Sequence, residues 1–162
     1  MAEIIQTAVG TPLDTFARKY LFQPLDIENY TLHYNPEEIL NTAGGSEYRS
    51  RDFLKLIQLC LNNGRWKEKQ VILSSWLDKA TTPKAYVREG IEYGYFFWLK
   101  SFGSQKKYAS YYMSGNGGQK VLAIPELDAT VVITTTNYNQ RNAHPYTDEL
   151  MDTYIVPALV DL

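Results

Sequence analysis

Serine, cysteine, histidine and the carboxylates are the side chains that attack carbonyls, move protons and hold metals, and their spacing in this sequence is informative. The two histidines, His33 and His144, stand far apart. No His-Glu-x-x-His, no Cys-x-x-Cys and no His pair at helical spacing occurs, so neither a metal site nor a cofactor is expected. His144, beside Pro145, reads as a helix cap. A serine–histidine–carboxylate triad finds no strand–turn–helix elbow, because Gly-x-Ser-x-Gly is absent. Ser104-Gln105-Lys106-Lys107 spells Ser-x-x-Lys. It falls in a polar link between two strand patterns, where no helix aligns lysine with serine, and we read the match as coincidence. Cys60, the single cysteine, sits in the apolar helical run Leu56-Ile57-Gln58-Leu59-Cys60-Leu61 and reads as a buried structural thiol.

The run Gly115-Asn116-Gly117-Gly118 draws attention because glycines let a backbone approach a ligand and turned N–H groups cradle anions. It is not a Gly-x-x-x-x-Gly-Lys loop, it lacks the third glycine of Gly-x-Gly-x-x-Gly, and it leads into a strand pattern rather than a helix. A tight turn between two strands is the expectation.

The elements that must carry these residues follow from periodicity. A short helix is expected over 3–9. A second begins at Thr11-Pro12-Leu13-Asp14, with Thr11 as N-cap and Asp14 as the reciprocal carboxylate, and buries Leu13, Phe16, Ala17, Tyr20 and Leu21. Residues 26–49 are irregular. Ser50 caps a helix with the stripe Phe53, Leu54, Ile57, Cys60 and Leu61, closed by Asn62-Asn63-Gly64. A short helix near Ser74-Ser75 carries Trp76, Leu77 and Ala80. Strand patterns then run over 93–99, 108–113, 120–124 and 130–136, joined by short turns. A last helix starts near Pro145, with His144 or Asn142 as cap, and carries Leu150, Met151, Tyr154 and Ile155. Helices, an antiparallel meander and a closing helix make an α+β plan in one domain spanning 1–162.

Composition narrows the function classes. Hydrophobic residues make up 44% and aromatics 14%, enough for a packed core. Net charge is -2, and the densest basic run is Lys106-Lys107, so no nucleic-acid partner is expected. No stretch has the ~18 consecutive apolar residues of a membrane span. No signal peptide is visible at the N-terminus.

Five stretches in order resemble the class C β-lactamase-like serine hydrolases. Thr11-Pro12-Leu13 leading to Leu21-Phe22-Gln23-Pro24-Leu25 is similar to that family's "G-x-P-L-x-x-F … L-F-x-P-L". Gly44-Gly45 with Ser50-Arg51-Asp52-Phe53 resembles "G-G … S-x-x-D-L". Leu61-Asn62-Asn63-Gly64-Arg65-Trp66 through Ile72-Leu73-Ser74 looks like "L-x-N-G-G … I-L-S-x-x-W". Tyr93-Gly94-Tyr95 is similar to "Y-G-Y-G-W". Ser114 to Gln119, with Ile124-Pro125-Glu126-Leu127 and Val131-Val132-Ile133, resembles the closing strands.

The resemblance implies acyl transfer through a serine ester, on a β-lactam, peptide or ester substrate. The family draws on three motifs: Ser-x-x-Lys, Tyr-x-Asn, and Lys-Thr-Gly or His-x-Gly on a sheet strand. The first two precede the stretch this chain resembles, and Tyr-x-Asn occurs nowhere in it. The third has a counterpart in Met113-Ser114-Gly115, where Met113 replaces the expected cation. Met113, Ser114, Gly115 and Asn116 are therefore the candidate substrate-binding residues, with no catalytic residue assigned.

The expectation is a C-terminal part of such a hydrolase, an incomplete β-lactamase/transpeptidase-like fold inactive alone. Two alternatives are a stand-alone binding or assembly module reusing this half-fold, and a hydrolase with an unrecognised nucleophile such as Ser114. In the resembled fold other strands lie beside the last one, so strand 130–136 is expected as an open edge prone to self-association. A parent in the periplasm or at the cell surface fits the family.

Overall fold

The first half of the chain is helical because its apolar residues recur at three- and four-residue spacing. The computed structural model describes residues 1–161. Helix α1 spans Ala2–Val9 and ends on Gly10 in the left-handed conformation. Helix α2, Leu13–Ala17, runs on through a π turn, Arg18–Phe22, and a 3-10 turn, Gln23–Leu25. Its cap differs from expectation. Pro12, in extended backbone, precedes the first helical residue Leu13, and Thr11 does not cap. Asp14 accepts from the Thr15 amide at 2.6 Å and from the Tyr34 hydroxyl at 2.9 Å instead of reaching back.

A two-residue pair, β1 (Tyr30–Thr31) with β2 (Glu47–Tyr48), closes the irregular region. Helix α3 spans Ser50–Leu61, with Arg49 rather than Ser50 at the cap position. It ends as its sequence predicts: Asn63 and Gly64 take φ values of 53° and 79°, and the Gly64 amide bonds back to Leu59. The hairpin β3 (Arg65–Trp66) and β4 (Lys69–Gln70) leads to α4, Ser74–Ala80.

The second half is one antiparallel meander of six strands: β5 (Ala85–Arg88), β6 (Ile91–Tyr93), β7 (Trp98–Phe102), β8 (Tyr108–Gly115), β9 (Gln119–Ile124) and β10 (Ala129–Ile133). Their spatial order follows the chain, leaving β5 and β10 at the edges. Strand β5 was not expected; its residues are exposed and lack apolar alternation. The single run expected over 93–99 is broken by a turn at residues 94–97. A side chain at Gly94 would meet the Ala80 carbonyl oxygen at 2.0 Å, and Phe96 adopts φ 65°. Strand β10 is shorter than the expected 130–136. Thr134 to Thr136 leave the sheet, and the Thr135 hydroxyl donates to the Gly117 carbonyl at 2.5 Å.

Helix α5 (Ala143–Leu150), with Asn142 rather than His144 at the cap position, continues through a π turn, Met151–Ile155, into α6 (Val156–Val160). Alternation along the strands divides the side chains between two faces. One face sets Phe102, Tyr112, Leu122, Ile124 and Ile133 against Met151 and Val156. The other sets Val121 and Ala123 against Ile57 of α3, with Phe53, Cys60 and Met113 around them. The opposite side of α3 buries Leu59 against Phe22, Leu25 and Ile27. Ile57 and Leu59, both fully buried, make α3 the bolt between the N-terminal helices and the sheet. Burial of each such side chain is worth roughly 1.5–3 kcal/mol.

Candidate active-site strand and the charged centre beneath it

Strand β8 ends at Gly115, and the turn to β9 is made by Asn116, Gly117 and Gly118. The two glycines take φ values of 90° and 85°. A Cβ on Gly118 would stand 2.2 Å from the Ala143 carbonyl oxygen, and one on Gly117 would crowd the backbone at Asn137 and Tyr138. The glycine run is thus a turn between two strands, as expected, pressed against residues 137–138 and the first residue of α5.

The four candidate residues do not converge on one point. Successive side chains on a strand point to opposite faces. Met113 packs on the α3 face with the Ile57 and Val121 cluster. Ser114 pairs across the sheet with Lys120, on the α5 face. Gly115 lies opposite Gln119. Asn116 makes a reciprocal amide pair with Asn139: its Nδ2 donates to Asn139 Oδ1 at 2.8 Å, and the Asn139 amide donates to Asn116 Oδ1 at 3.0 Å. Its side-chain hydrogen-bonding capacity is largely spent on holding the 137–140 loop over the turn.

The α3 face holds a groove of about 500 Å³ where α3 does not reach, floored by Leu99, Ser101, Ala109 and Tyr111, with Pro83 and Glu92 at its rim. Tyr111 stands edge-on to Phe97, their ring centroids 5.5 Å apart, and burial pushes its hydroxyl well above the ordinary tyrosine range. Met113 lies two residues further along the same strand and face.

The α5 face carries a group the sequence reading missed. Lys120 is 1% exposed, and its Nζ donates to Thr147 Oγ1 at 2.6 Å. The Thr147 hydroxyl, with one proton to give, donates to the Gly118 carbonyl at 2.8 Å. Asp148 Oδ2 accepts from Lys100 Nζ at 2.6 Å. Its Oδ1 stands 2.9 Å from Lys120 Nζ but off the axis of a hydrogen bond, so that contact is an ion pair. Burial lowers the Lys120 pKa, and the nearby Asp148 opposes that shift without overcoming it. Burial pushes Asp148 up, but its hydrogen bond to Lys100 and the positive charge of Lys120 beside it outweigh this and hold it below the ordinary carboxylate value. His144 is also held below its ordinary value, by burial and then by Lys120. A signal existed: Lys120 shares its face with Leu122 and Ile124, so period-2 alternation marks it as inward-pointing.

The remaining sequence candidates lie elsewhere. Ser104 and Lys107 sit on the exposed link between β7 and β8, with Lys107 turned to Asp152 at 3.4 Å and Lys106 paired with Glu126. His33 is half exposed, 3.9 Å from Glu47. Cys60 lies in the α3–sheet core, and burial pushes its thiol up to about 11. Among the described residues no three of His, Cys, Asp and Glu gather into a metal-binding group.

Comparison with known proteins gives the frame. Curated protein sequences yield no match. Among solved structures, a Bacillus anthracis protein designated a 6-aminohexanoate-dimer hydrolase superposes with a TM-score of 0.82 at 23% identity, covering 99% of this chain and 42% of that one. The octameric penicillin-binding protein homologue from Pyrococcus abyssi gives 0.65 at 16% identity, covering 92% of this chain and 40% of that one. Simvastatin synthase from Aspergillus terreus gives 0.69 at 11% identity, covering 98% and 52%. These likenesses establish a shared fold, of which this chain spans about half or less. The β-lactamase family model matches residues 1–152, and the chain therefore belongs to the β-lactamase family, with the class C-like serine-hydrolase fold.

Proposed function

We propose that this chain supplies the sheet and substrate-binding strand of a β-lactamase-like serine hydrolase whose nucleophile lies outside these 162 residues. The observation that carries the reading is the end of β8. Met113-Ser114-Gly115, which resembles the family's third motif, closes that strand, and Met113 lies on the same face as the groove over Leu99, Ala109 and Tyr111.

The reaction is acyl transfer to serine followed by hydrolysis. β8 would line the pocket with its α3 face at Met113, and the backbone at Gly115 would approach the substrate closely. Met113 offers no positive charge to a substrate carboxylate. The reading therefore favours ester or neutral amide substrates over penicillins, which carry a carboxylate. Ser114 is a poor nucleophile as placed: it stands opposite Lys120, whose Nζ is turned to Thr147 and Asp148 instead.

Mass-resolved labelling of the purified chain with a fluorophosphonate and a fluorescent penicillin tests this reading. No adduct with either is the expected result. A stoichiometric adduct on one serine would overturn it and name the true nucleophile.

A further inference from the structure

A glycine after an asparagine leaves the following backbone nitrogen uncrowded, so that it can attack the asparagine side-chain carbonyl. The sequence has two such steps, Asn63-Gly64 and Asn116-Gly117. Both asparagines are exposed, so exposure does not separate them. Their backbones do.

At Asn63-Gly64 the peptide unit is held at both ends. The Gly64 amide donates to the Leu59 carbonyl at 2.8 Å, closing α3, and the Asn63 carbonyl accepts from Gln70 Nε2 at 2.8 Å. A Cβ on Gly64 would stand 2.0 Å from the Ile72 carbonyl oxygen, so this peptide has no room to turn. Its nitrogen reaches the Asn63 side chain only by undoing the end of the helix.

At Asn116-Gly117 the nitrogen is not held. Among the described residues the Gly117 amide has no hydrogen-bond acceptor. The turn is fixed through other atoms: the Thr135 hydroxyl donates to the Gly117 carbonyl, and Gln119 Nε2 donates to the Asn116 carbonyl at 3.3 Å. The restraint on the reaction is on the side chain instead. Both ends of the Asn116 amide are taken by Asn139, at 2.8 and 3.0 Å, and Asn139 lies in the exposed 137–140 loop at φ 61°. Contacts of this kind, exposed and in a loop, are among the first to open in a folded chain.

We propose that Asn116 is a self-modification site, deamidating through Gly117 whenever the Asn139 latch opens. The Gly117 nitrogen, losing its proton to base, bonds to Asn116 Cγ. The Cγ–Nδ2 bond breaks and ammonia leaves with a proton, giving a five-membered imide. Water then opens the imide at one of its two carbonyls, leaving aspartate or isoaspartate at position 116. The net change is amide plus water to carboxylic acid plus ammonia, and no oxidant is needed. The product carries a negative charge and has lost the donor that bonded Asn139 Oδ1, so the latch does not close again as before. In the isoaspartate form the β8–β9 turn is also one backbone carbon longer. The modification does not depend on the catalytic reading. Its consequence for binding, a negative charge at the end of the proposed substrate strand, does.

Peptide mass mapping of the purified chain, incubated at mildly alkaline pH, tests the proposal by following both steps together. Asn116 should lose its amide while Asn63 keeps its own. Asn139→Ala, checked for folding by circular dichroism, should speed the loss at Asn116 about tenfold, the scale for releasing a pair of ordinary hydrogen bonds, and leave Asn63 unchanged. In urea the two steps should react alike. Equal rates in the folded chain, faster loss at Asn63, or no acceleration in Asn139→Ala overturns the proposal. So does a difference that persists in urea, which would assign it to neighbouring residues rather than to the fold.

Discussion

Lys120 Nζ donates to Thr147 Oγ1 at 2.6 Å in a buried polar contact, and through Thr147 it is tied to the carbonyl of Gly118 in the β8–β9 turn. A buried lysine is tolerated only when charge and hydrogen bonds are supplied to it, and here Asp148 supplies the charge. The two ends of the pair are not equivalent. Asp148→Asn leaves Lys120 charged, buried and beside Lys100. The expected cost is about 3 kcal/mol, the lower end of the range for breaking a buried pair, because Asp148 retains some solvent access. Lys120→Met leaves Asp148 still bonded to Lys100 and should cost no more than about 1 kcal/mol. Denaturant unfolding of both variants measures the difference. Equal losses would mean that Lys100, not Lys120, carries the pairing.

The same centre sets the acid limb of stability. Asp148 titrates below its ordinary 3.8 in the folded chain. Its contribution is therefore fully present above that value. It is lost as pH falls through 3.8 and then through the lower folded value, because the unfolded chain takes up the proton first. Lys120 adds a change of the same sign at high pH. Its pKa lies below 10.5, so the folded chain gains relative stability as pH rises through the folded value toward 10.5. Unfolding free energy measured against pH should show wild type and Asp148→Asn converging as pH falls below 3.8 and diverging to a plateau near neutrality. A constant gap across that window would exclude Asp148 as the titrating group.

Much of the fold was legible because local and tertiary preferences agree. The α3 stripe and the Asn62-Asn63-Gly64 stop are local signals, and tertiary packing left them in place. The strand patterns at 108–113 and 120–124 matched β8 and β9 to within a residue or two because one residue in two is buried on each face. What failed depends on contacts made at a distance. Strand β5 has no buried face to betray it, and the break at Gly94 is imposed by the approach of Ala80 from α4. The site was legible only in part. Met113, Ser114, Gly115 and Asn116 are adjacent in sequence, but alternation sends their side chains to different faces. The Lys100–Asp148–Lys120 group is assembled from two strands and a helix, which no spacing rule brings together.

Two glycines separate conformational strain from steric exclusion. Gly90 and Gly118 both take positive φ, 72° and 85°, but a side chain at Gly90 meets nothing within 4 Å. Gly90→Ala should cost only the left-handed penalty, about 1–2 kcal/mol. At Gly118 the same penalty is joined by a contact of 2.2 Å with the Ala143 carbonyl oxygen. Alanine there must push the turn off the N-terminus of α5 and disturb the Gly118–Thr147 bond. The expected loss exceeds that of Gly90→Ala by about 1–3 kcal/mol, read as a lower denaturant midpoint. Equal midpoints would mean that the turn moves freely against α5.

Cys60 offers a kinetic probe of the α3–sheet packing. Its thiol lies with Ile57, Val121 and Ala123, and burial pushes its pKa to about 11. The thiolate is the reactive form, and at pH 8 an ordinary cysteine with pKa ~8.5 is roughly one-quarter ionised. The folded chain should therefore react with a disulfide reagent about two orders of magnitude more slowly than the denatured chain, before steric protection is counted. Leu54→Ala, on the same helix but outside the cluster around Cys60, should leave this rate nearly unchanged. Ile57→Ala removes a fully buried neighbour and should raise the rate as α3 loosens from the sheet. A native rate equal to the denatured rate would show that α3 lifts off the sheet freely, and with it the arrangement that holds Met113 and the end of β8 in place.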